Sequence, residues 1–358
     1  MSQPALGIGA GRGRRAAERW GIVLFLVVTV AGIYIAKWSP YYAKAFVAAA
    51  KHSIGASVIS GTAAAAPPAG WAAAWQYGVS YVNSIWIALV VGLLVGSGVE
   101  AALPRAWLMR VLGGRRFGST ALAGAVAVPA MMCTCCSAPV AVGMAKSRAS
   151  VGATLAFWLG NPLLNPATII FMGFVLGWRW VALRIVFGAL LVFGVSQLAD
   201  RWLGRKDLPA GAMEVPAEDD RPLLVRWAAS LGRLAVGLLP EYLAIVLILG
   251  AVRAWLFPAM TPAIGGALWL VLVLAVAGTL FVIPTAGEIP IIQTLMRYGL
   301  GAAGAGTLLI TLPAVSLPSL AMVGRALPAR VLVFVAVAVV IAGLLTGVAA
   351  TMLGLQVL

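Results

Sequence analysis

Charged residues are scarce in this sequence: Asp, Glu, Lys and Arg together make up only 10% of its 358 residues. A soluble domain of this length needs a polar surface that so few charges cannot supply. Apolar residues instead reach 62% and form several long runs without a charge. A helix crosses a bilayer with about 20 apolar residues. The composition therefore excludes a soluble globular protein and predicts an all-α polytopic membrane protein.

Acidic residues are the rarer charge, with 10 Asp and Glu against 25 Lys and Arg. A net charge of +15 in a soluble chain would indicate nucleic-acid binding, but here the basic residues lie between apolar runs, where they act as topology signals. Membrane lipid is therefore the expected partner, and nucleic acid is not. A GxxxxGK[ST] phosphate loop is also lacking. We predict a transporter without a cofactor and not an enzyme.

A charged, proline-containing linker divides the apolar part of the chain into two similar halves. Pro139 and Pro290 occupy corresponding places, as do Pro162 and Pro313, and both pairs are 151 residues apart. Such spacing of rare helix breakers predicts an internal duplication. The predicted segments are a cytoplasmic basic tail (1–19), a first transmembrane span (20–38), an external segment (39–78), repeat 1 (79–198), a cytoplasmic charged linker (199–226) and repeat 2 (227–358).

The distribution of basic residues predicts how the chain crosses the membrane. Lys and Arg favour the cytoplasmic side, which places the N-terminus there and makes Lys37, next to Trp38, an interfacial anchor. After the first span, each repeat is expected to have three crossings and one re-entrant hairpin, although residues 119–146 could instead cross once. Because three is odd, the second repeat would have the opposite orientation. Two inverted-topology repeats with Pro-broken or re-entrant helices are an architecture of secondary transporters.

All three cysteines, Cys133, Cys135 and Cys136, fall within four positions directly after Met132. Thiolate and thioether sulfurs are soft ligands that select soft cations, and residues three apart lie on one face of a helix. A closed zinc site would need a fourth ligand, and the only histidine, His52, lies in the predicted external segment. We predict that the cysteines and Met132 bind trivalent arsenic or antimony, or a soft metal ion such as Cu(I). Cysteines that merely fill a helix interface are the alternative.

Hydroxyl and amide side chains accompany the cysteines. Ser137 follows them directly, and Asn161 and Asn165 lie in the broken segment GNPLLNP. Asn next to Pro is ordinary turn chemistry. At membrane depth, however, such groups and the carbonyls that proline leaves without a donor can coordinate a solute. Ser137, Asn161 and Asn165 are therefore candidate substrate-binding residues.

Glu288 is a carboxylate deep within an apolar region. It lies between Pro284 and Pro290, and no other charge occurs in residues 254–296. An intramembrane carboxylate is costly and is functional by default. We predict that Glu288 carries the protons that drive transport; a neutral glutamate bonded to the backbone is the alternative.

The stretches CTCCSAPV and GATLAFWLGNPLLNP resemble the central signature of the predicted-permease family that includes the ArsP-type organoarsenical exporters. The resemblance covers roughly residues 80–350 and implies a permease of the bacterial cell inner membrane. Some members export trivalent organoarsenicals, and others are linked to copper or zinc efflux. The matching residues are Cys133 or Cys135, Cys136, Ser137, Pro139, Pro162, Asn165 and Pro166. This chain reads C-T-C-C where the family has C-S-C-S-S, and Asn161 replaces a small residue, so the resemblance leaves the substrate open.

Together these patterns predict a proton-coupled exporter of a small thiol-reactive solute or soft metal ion, with a multi-pass topology and a cytoplasmic N-terminus. Two alternatives remain open: a permease for an unrelated small solute with structural cysteines, and a membrane thiol-redox subunit that uses Cys133 and Cys136. The sequence does not indicate an oligomeric state.

Overall fold

The computed structural model describes residues 8–103, 105–203 and 221–356. Within those ranges the chain is all-helical, and its only β contact is an isolated bridge between Ser57 and Gly61. The predicted all-α fold is therefore confirmed. Residues 204–220, most of the predicted linker, and the first residues of the predicted basic tail lie outside the described residues.

Most of the helices are joined by short connections. They are α1 (Ile8–Ile33), α2 (Ser39–Lys51), α3 (Trp71–Ala102), α4 (Arg105–Leu112), α5 (Phe117–Ala130), α6 (Thr134–Lys146), α7 (Val151–Leu163), α8 (Pro166–Val175), α9 (Trp178–Ala189), α10 (Ser196–Leu203), α11 (Leu223–Leu256), α12 (Leu268–Leu280), α13 (Glu288–Arg297), α14 (Ala302–Ala314), α15 (Leu317–Gly324) and α16 (Ala329–Met352). Short π-helical segments, Tyr34–Trp38 and Leu190–Val195, join α1 to α2 and α9 to α10.

Seven stretches of helix in the described part of the chain are long and apolar enough to cross a membrane. They are Trp20–Lys51, Trp71–Ala102, Val151–Val175, Trp178–Leu203, Leu223–Leu256, Ala302–Gly324 and Ala329–Met352. Each overlaps one of the seven crossings that the sequence predicts. The first helix continues beyond residue 38 into the predicted external segment, and α3 begins at Trp71 inside that same segment. The chain is a multi-pass membrane protein.

Two pairs of short helices turn back on themselves. Helices α5 and α6 form hairpin 1, and the amide of Ser150, just after α6, donates a 2.8 Å hydrogen bond to Leu112 O, just before α5. The chain thus returns to the end of the bundle from which it entered, as the expected re-entrant hairpin requires and the alternative of a single crossing by residues 119–146 does not. Helices α12 and α13 form hairpin 2, which is closed in the same way by a 2.9 Å hydrogen bond from Gly301 N to Gly265 O.

Hydrogen bonds between helix termini define two opposite ends of the bundle. At the first end, which we call the α4 end, Arg115 donates to Asp200 O at 2.7 Å and Ser230 donates to Glu100 at 2.9 Å. The termini that meet there belong to α3, α6, α10 and α11, beside α4. Hairpin 1 opens toward this end.

The opposite end is formed around the loop that joins α2 to α3, and we call it the loop end. The amide of Gly70 donates to Ala251 O at 3.2 Å, and the Gln293 side chain donates to His52 O at 2.9 Å. Hairpin 2 opens toward this end.

Hairpin 1 is held against α3 by backbone contact through glycine. A Cβ atom at Gly92 would lie 2.1 Å from Cys136 O, and one at Gly96 would lie 2.4 Å from Pro139 O. Small residues four apart allow helices to approach this closely inside a membrane. These glycines therefore allow α6, which carries the cysteines, to pack directly against α3.

Candidate functional site

The thiols lie at the tip of hairpin 1, where the helix is interrupted. Met131 follows α5 in the left-handed conformation with a φ of 50°, and Cys133 is the extended N-cap residue of α6. The break leaves backbone groups without helical partners. The carbonyl of Pro129 is satisfied by the indole of Trp38, which donates a hydrogen bond of 3.0 Å.

Cys133 and Cys136 form a close pair. Their Sγ atoms are 2.8 Å apart, and both residues are free thiols buried from solvent. The helical turn between them brings the two side chains to one face, as the sequence predicts. The two sulfur atoms are therefore close enough to coordinate one soft atom together.

Cys135 faces a different set of groups. Its Sγ lies 3.6 Å from the hydroxyl of Tyr81 and 3.6 Å from that of Ser316. Residues adjacent on a helix point about 100° apart, which separates Cys135 from the other two thiols. Nowhere among the described residues are three or more His, Cys, Asp or Glu side chains grouped to hold a metal ion. The structure therefore pairs two of the three predicted cysteine ligands, and the third, Cys135, points in another direction.

Met132, Ser137 and Asn161 hold the hairpin tip in place. The Asn161 side-chain oxygen accepts a 3.2 Å hydrogen bond from Met132 N, and its amide group donates to Phe157 O at 2.9 Å. The Ser137 hydroxyl donates to Cys133 O at 3.0 Å. These three predicted binding residues surround the thiol pair through backbone contacts.

Asn165 makes the turn contacts that are usual for Asn before Pro. Its side-chain oxygen accepts hydrogen bonds from Ala167 N at 3.0 Å and Thr168 N at 3.2 Å, so it is the N-cap of α8. Its buried amide nitrogen has no partner in the described part of the chain. Asn165 therefore orders the break between α7 and α8, and only its amide nitrogen is left to bind something else.

Glu288 is buried at the start of α13, in hairpin 2. One carboxylate oxygen accepts a 2.9 Å hydrogen bond from Arg184 Nη2, and this ion pair is inaccessible to solvent on both sides. The other oxygen has no partner among the described residues. Glu288 is therefore an ion-paired carboxylate. The prediction of a proton carrier named no partner for it, and the alternative of a neutral glutamate bonded to the backbone did not include an ion pair.

The sequence analysis did not identify Arg184 as a site residue. Its guanidinium donates hydrogen bonds to carbonyls that lack a helical donor because of proline. Proline has no N–H, so the carbonyl four residues earlier lacks its helical donor. Arg184 Nη2 donates to Pro162 O, four residues before Pro166, at 2.9 Å, and Nη1 donates to Leu309 O, four residues before Pro313. The available signal was an arginine inside an apolar span, which is costly unless it has partners.

Lys37 is a second residue that the sequence did not assign to the site. It was expected at the membrane interface, but only 3% of its surface is exposed. The ammonium donates hydrogen bonds to Thr285 at 2.8 Å and to Tyr41 at 3.2 Å. The interfacial prediction was wrong because α1 and α2 continue as one long helix that packs against the hairpin tips.

The Pro-broken segments of the two halves meet around these residues. Thr134 at the tip of hairpin 1 lies 3.4 Å from Ser316, at the break between α14 and α15, and its carbonyl accepts a 3.1 Å hydrogen bond from Trp158. Arg184 and Lys37 reach hairpin 2 from the other side. The thiol pair, the ion pair and the buried lysine therefore belong to one polar region inside an apolar bundle.

An all-helical bundle with polar groups gathered at interrupted helices is the kind of structure that membrane transporters use. Residues 70–352 match the model of a family described as a predicted permease. The chain belongs to this family. The permease is 46% identical over 333 residues to the UPF0718 protein YraQ of Escherichia coli (strain K12), which covers 92% of this chain and 94% of that protein.

A more distant relative is archaeal. The permease is 23% identical over 315 residues to the UPF0718 protein MJ0584 of Methanocaldococcus jannaschii, an alignment that covers 69% of this chain and 86% of that protein. No solved structure matches the chain. Lys37 lies before residues 70–352, so the family match does not include it.

Proposed function

We propose that this permease is a secondary exporter of the bacterial inner membrane, coupled to protons, for a soft thiol-reactive solute such as a trivalent organoarsenical or a soft metal ion. The observation that carries the proposal is the pair of buried free thiols, Cys133 and Cys136, with their Sγ atoms 2.8 Å apart. Sulfur ligands select soft cations. A buried hairpin tip keeps water away from the bound solute.

The residues around the pair have supporting roles in this proposal. Asn161 holds Met132 N and thereby fixes the start of the tip, and Ser137 does the same for Cys133 O. Cys135 is the next sulfur that a solute would meet when it leaves the pair. Asn165 stabilises the nearby helix break.

The architecture in this proposal is a pair of inverted repeats. Hairpin 1 is closed by contacts at the α4 end, whereas hairpin 2 is closed at the loop end. Helix α3 runs from the loop end to the α4 end, and α11 runs the opposite way, with Gly70 N bonded to Ala251 O. These opposed directions and the repeated proline spacing support inversion, which lets two halves exchange roles as the site opens to alternate sides.

The proposed orientation has the α4 end in the cytoplasm. Basic residues on short loops favour that side. In the described part of the chain, those at or near the α4 end include Arg110, Arg115, Arg116, Lys146, Arg148, Arg201, Arg233 and Arg325, whereas those near the loop end include Lys51, Arg179, Arg253 and Arg297. The N-terminus lies in the cytoplasm in this orientation, because the first helix reaches the loop end at Lys51.

Proton coupling is assigned to Glu288. Its carboxylate binds Arg184 with one oxygen, and the other oxygen is available for a proton. A proton on Glu288 removes the negative charge that holds Arg184, so the contact between hairpin 2 and α9 weakens. Intramembrane carboxylates serve as proton relays in many transporters. The rearrangement of hairpin 2 would then open the thiol site to the other side.

The experiment is metal export from cells that express the permease. Wild type, Cys133→Ser/Cys136→Ser, Cys135→Ser and Glu288→Gln are compared for resistance to trivalent methylarsenite, antimonite, copper and zinc, while the cell-associated element is measured. We expect the double thiol variant and Glu288→Gln to lose export and Cys135→Ser to keep most of it. Unchanged export in the double variant would overturn the thiol site. In inside-out vesicles, where export is measured as uptake, a transport rate that does not depend on a pH gradient would overturn the proton coupling.

A further inference from the structure

The two hairpin tips carry matching threonines. The spacing of 151 residues that relates the prolines of the two halves also relates Thr134 to Thr285. It relates Asn165, the N-cap residue of α8, to Ser316, the N-cap residue of α15. Helices α7 and α14 likewise begin and end at residues with this spacing. Each half therefore has a threonine at its hairpin tip and a polar N-cap residue at its later helix break.

The two tips make different contacts in the described part of the chain. Thr134 Oγ1 lies 3.4 Å from Ser316 Oγ, so hairpin 1 touches the helix break of the other half. The equivalent contact of hairpin 2 would join Thr285 to Asn165. Helix α13 does pack against α8, but the Thr285 hydroxyl accepts a 2.8 Å hydrogen bond from Lys37 instead. The tip contacts are thus asymmetric although the elements that carry them are repeated.

Asn165 has a donor left over for the missing contact. Its side-chain oxygen accepts from the backbone at the start of α8, whereas its amide nitrogen has no partner among the described residues. Asn165 is completely buried, and a buried donor without an acceptor is costly. The hydroxyl oxygen of Thr285 is the acceptor that the repeat assigns to it.

Hairpin 2 already lies beside the break that contains Asn165. Arg184 Nη2 donates to both Glu288 Oε1 and Pro162 O at 2.9 Å. Glu288 follows Thr285 by three residues, and Pro162 precedes Asn165 by three. Because one nitrogen holds both oxygens, the hairpin tip and the break are neighbours, and a local shift of the tip is enough to exchange the partner of Thr285.

The first span belongs to neither repeat and contacts both hairpins. Lys37 lies in the π-helical segment Tyr34–Trp38, and its ammonium holds Thr285 in hairpin 2. Trp38, the next residue, donates a 3.0 Å hydrogen bond to Pro129 O in hairpin 1. Bonds from a charged donor are stronger than those between neutral groups. Lys37 is therefore the group that breaks the symmetry of the two tips.

We propose that Lys37 is a positioning residue that keeps Thr285 away from Asn165, and that the two hairpin tips exchange contacts during transport. In the second state Thr285 bonds to Asn165, and hairpin 1 loses its own contact as Thr134 separates from Ser316. The inference rests on the proposed function, because inverted repeats that open to alternate sides need two such states. It deepens that function by assigning the residues that distinguish the states.

Buried polar groups keep the two states close in free energy. The observed state leaves the amide of Asn165 without an acceptor, and the second state removes Thr285 from the ammonium of Lys37. Neither state satisfies every buried group, so small changes at these residues shift the populations.

The test measures the contact of hairpin 1 while changing the residues that hold hairpin 2. Thr134→Cys/Ser316→Cys is introduced into the full-length permease, reconstituted in lipid nanodiscs, and the rate of disulfide formation with diamide is measured. All comparisons use this same background, in which serine replaces the three native cysteines, Cys133, Cys135 and Cys136.

Replacing Lys37 should shift the balance toward the second state. We expect Lys37→Met to slow the cross-link at least about twofold, because Thr285 becomes free to bond to Asn165. Asn165→Ala, added to Lys37→Met, should return the rate to that of the starting protein, since the alternative partner is gone. General loss of packing would not be reversed by a second substitution. Lys37→Arg keeps the donor and should leave the rate unchanged.

Lys44→Met is the matched control, because it makes the same change at an exposed position of α2, which continues the helix of Lys37. It should leave the cross-linking rate unchanged. If Lys37→Met leaves the rate unchanged, or if Asn165→Ala does not restore it, Lys37 does not control the exchange and the inference fails.

A second measurement does not require any Lys37 variant to fold. Thr285→Cys/Asn165→Cys, with Lys37 in place, should also form a disulfide with diamide, but more slowly than the pair at residues 134 and 316, because the second state is the less populated one. Absence of this disulfide overturns the exchange. Neither measurement involves the native thiols, so the thiol site fails only if the export experiment contradicts it.

Discussion

Arg184 and Glu288 form a 2.9 Å ion pair inside the helical bundle although 104 residues separate them in the chain. Arg184 belongs to α9 in the first half and Glu288 to hairpin 2 in the second, and both side chains are almost fully buried. Arg184 also donates to Leu163 O at 2.9 Å, in addition to the carbonyls of Pro162 and Leu309. One arginine therefore ties together interrupted helices from both halves.

Arg184→Met is expected to lower the free energy of unfolding by about 3–5 kcal/mol, because it leaves a buried carboxylate and several carbonyls without a donor. Glu288→Gln should cost less, since Arg184 keeps its backbone partners. The measurement is SDS-induced unfolding in mixed micelles, followed by tryptophan fluorescence.

Arg233→Met is the control for the arginine substitution. Arg233 also pairs with a carboxylate, Glu100, but its side chain is 59% exposed, and exposed pairs contribute at most about 1 kcal/mol. Equal losses for Arg184→Met and Arg233→Met would show that the buried pair does not join the two halves as described.

Gly96→Ala is expected to destabilise the permease by about 1–3 kcal/mol, because the new Cβ would lie 2.4 Å from Pro139 O and push hairpin 1 away from α3. Gly232→Ala, in α11, meets no atom within 4 Å and should be neutral or stabilising by up to about 1 kcal/mol. Thermal unfolding of the two variants in detergent compares them directly. A stable Gly96→Ala protein would contradict the close contact.

Mild oxidation should join Cys133 to Cys136 and leave Cys135 as a free thiol, because only the first two have adjacent sulfur atoms. Diamide supplies the oxidant: two S–H bonds break, one S–S bond forms, and diamide takes up both hydrogens. Mass spectrometry of peptides identifies the linked residues. Cys135→Ser should form the same bond and Cys136→Ser should not. A disulfide that contains Cys135 would refute the observed arrangement.

Asn161→Ala should slow that oxidation, because Met132 N loses its acceptor and the hairpin tip loosens. Asn165→Ser keeps an N-cap oxygen for α8 and should leave the oxidation rate close to wild type. The rate of disulfide formation at fixed diamide concentration is the readout. If both variants behave alike, Asn161 has no special role in placing the thiols.

The proposed orientation is tested by cysteine labelling in a background without Cys133, Cys135 and Cys136. Ala56→Cys lies in the exposed loop between α2 and α3, and Gly118→Cys lies at the α4 end in open space. A membrane-impermeant maleimide should label residue 56 in intact cells and residue 118 only after the membrane is opened. The reverse pattern would place the N-terminus outside.

The resemblance of CTCCSAPV and GNPLLNP to a permease signature led to the family that the comparison confirms. The same residues also led to the pairing of Cys133 with Cys136, because helical spacing alone brings them to one face. The direction of the Cys135 side chain could not be predicted from helical spacing. Its direction depends on Tyr81 and Ser316, which arrive from distant parts of the chain.

Composition by itself determined that this chain is a multi-pass helical membrane protein, because apolar runs of this length are stable only in a bilayer. Clusters of proline likewise indicated the segments in which its helices break, although Pro139 and Pro240 lie within the continuous helices α6 and α11. Tertiary structure alone decided which charges enter the bundle. Lys37 and Arg184 look like ordinary basic residues beside or within apolar runs, and their roles arise only when hairpin tips bring Thr285, Glu288 and free carbonyls to them. A buried charge is tolerated only where folding supplies its partners, and local sequence does not record partners that lie about a hundred or more residues away.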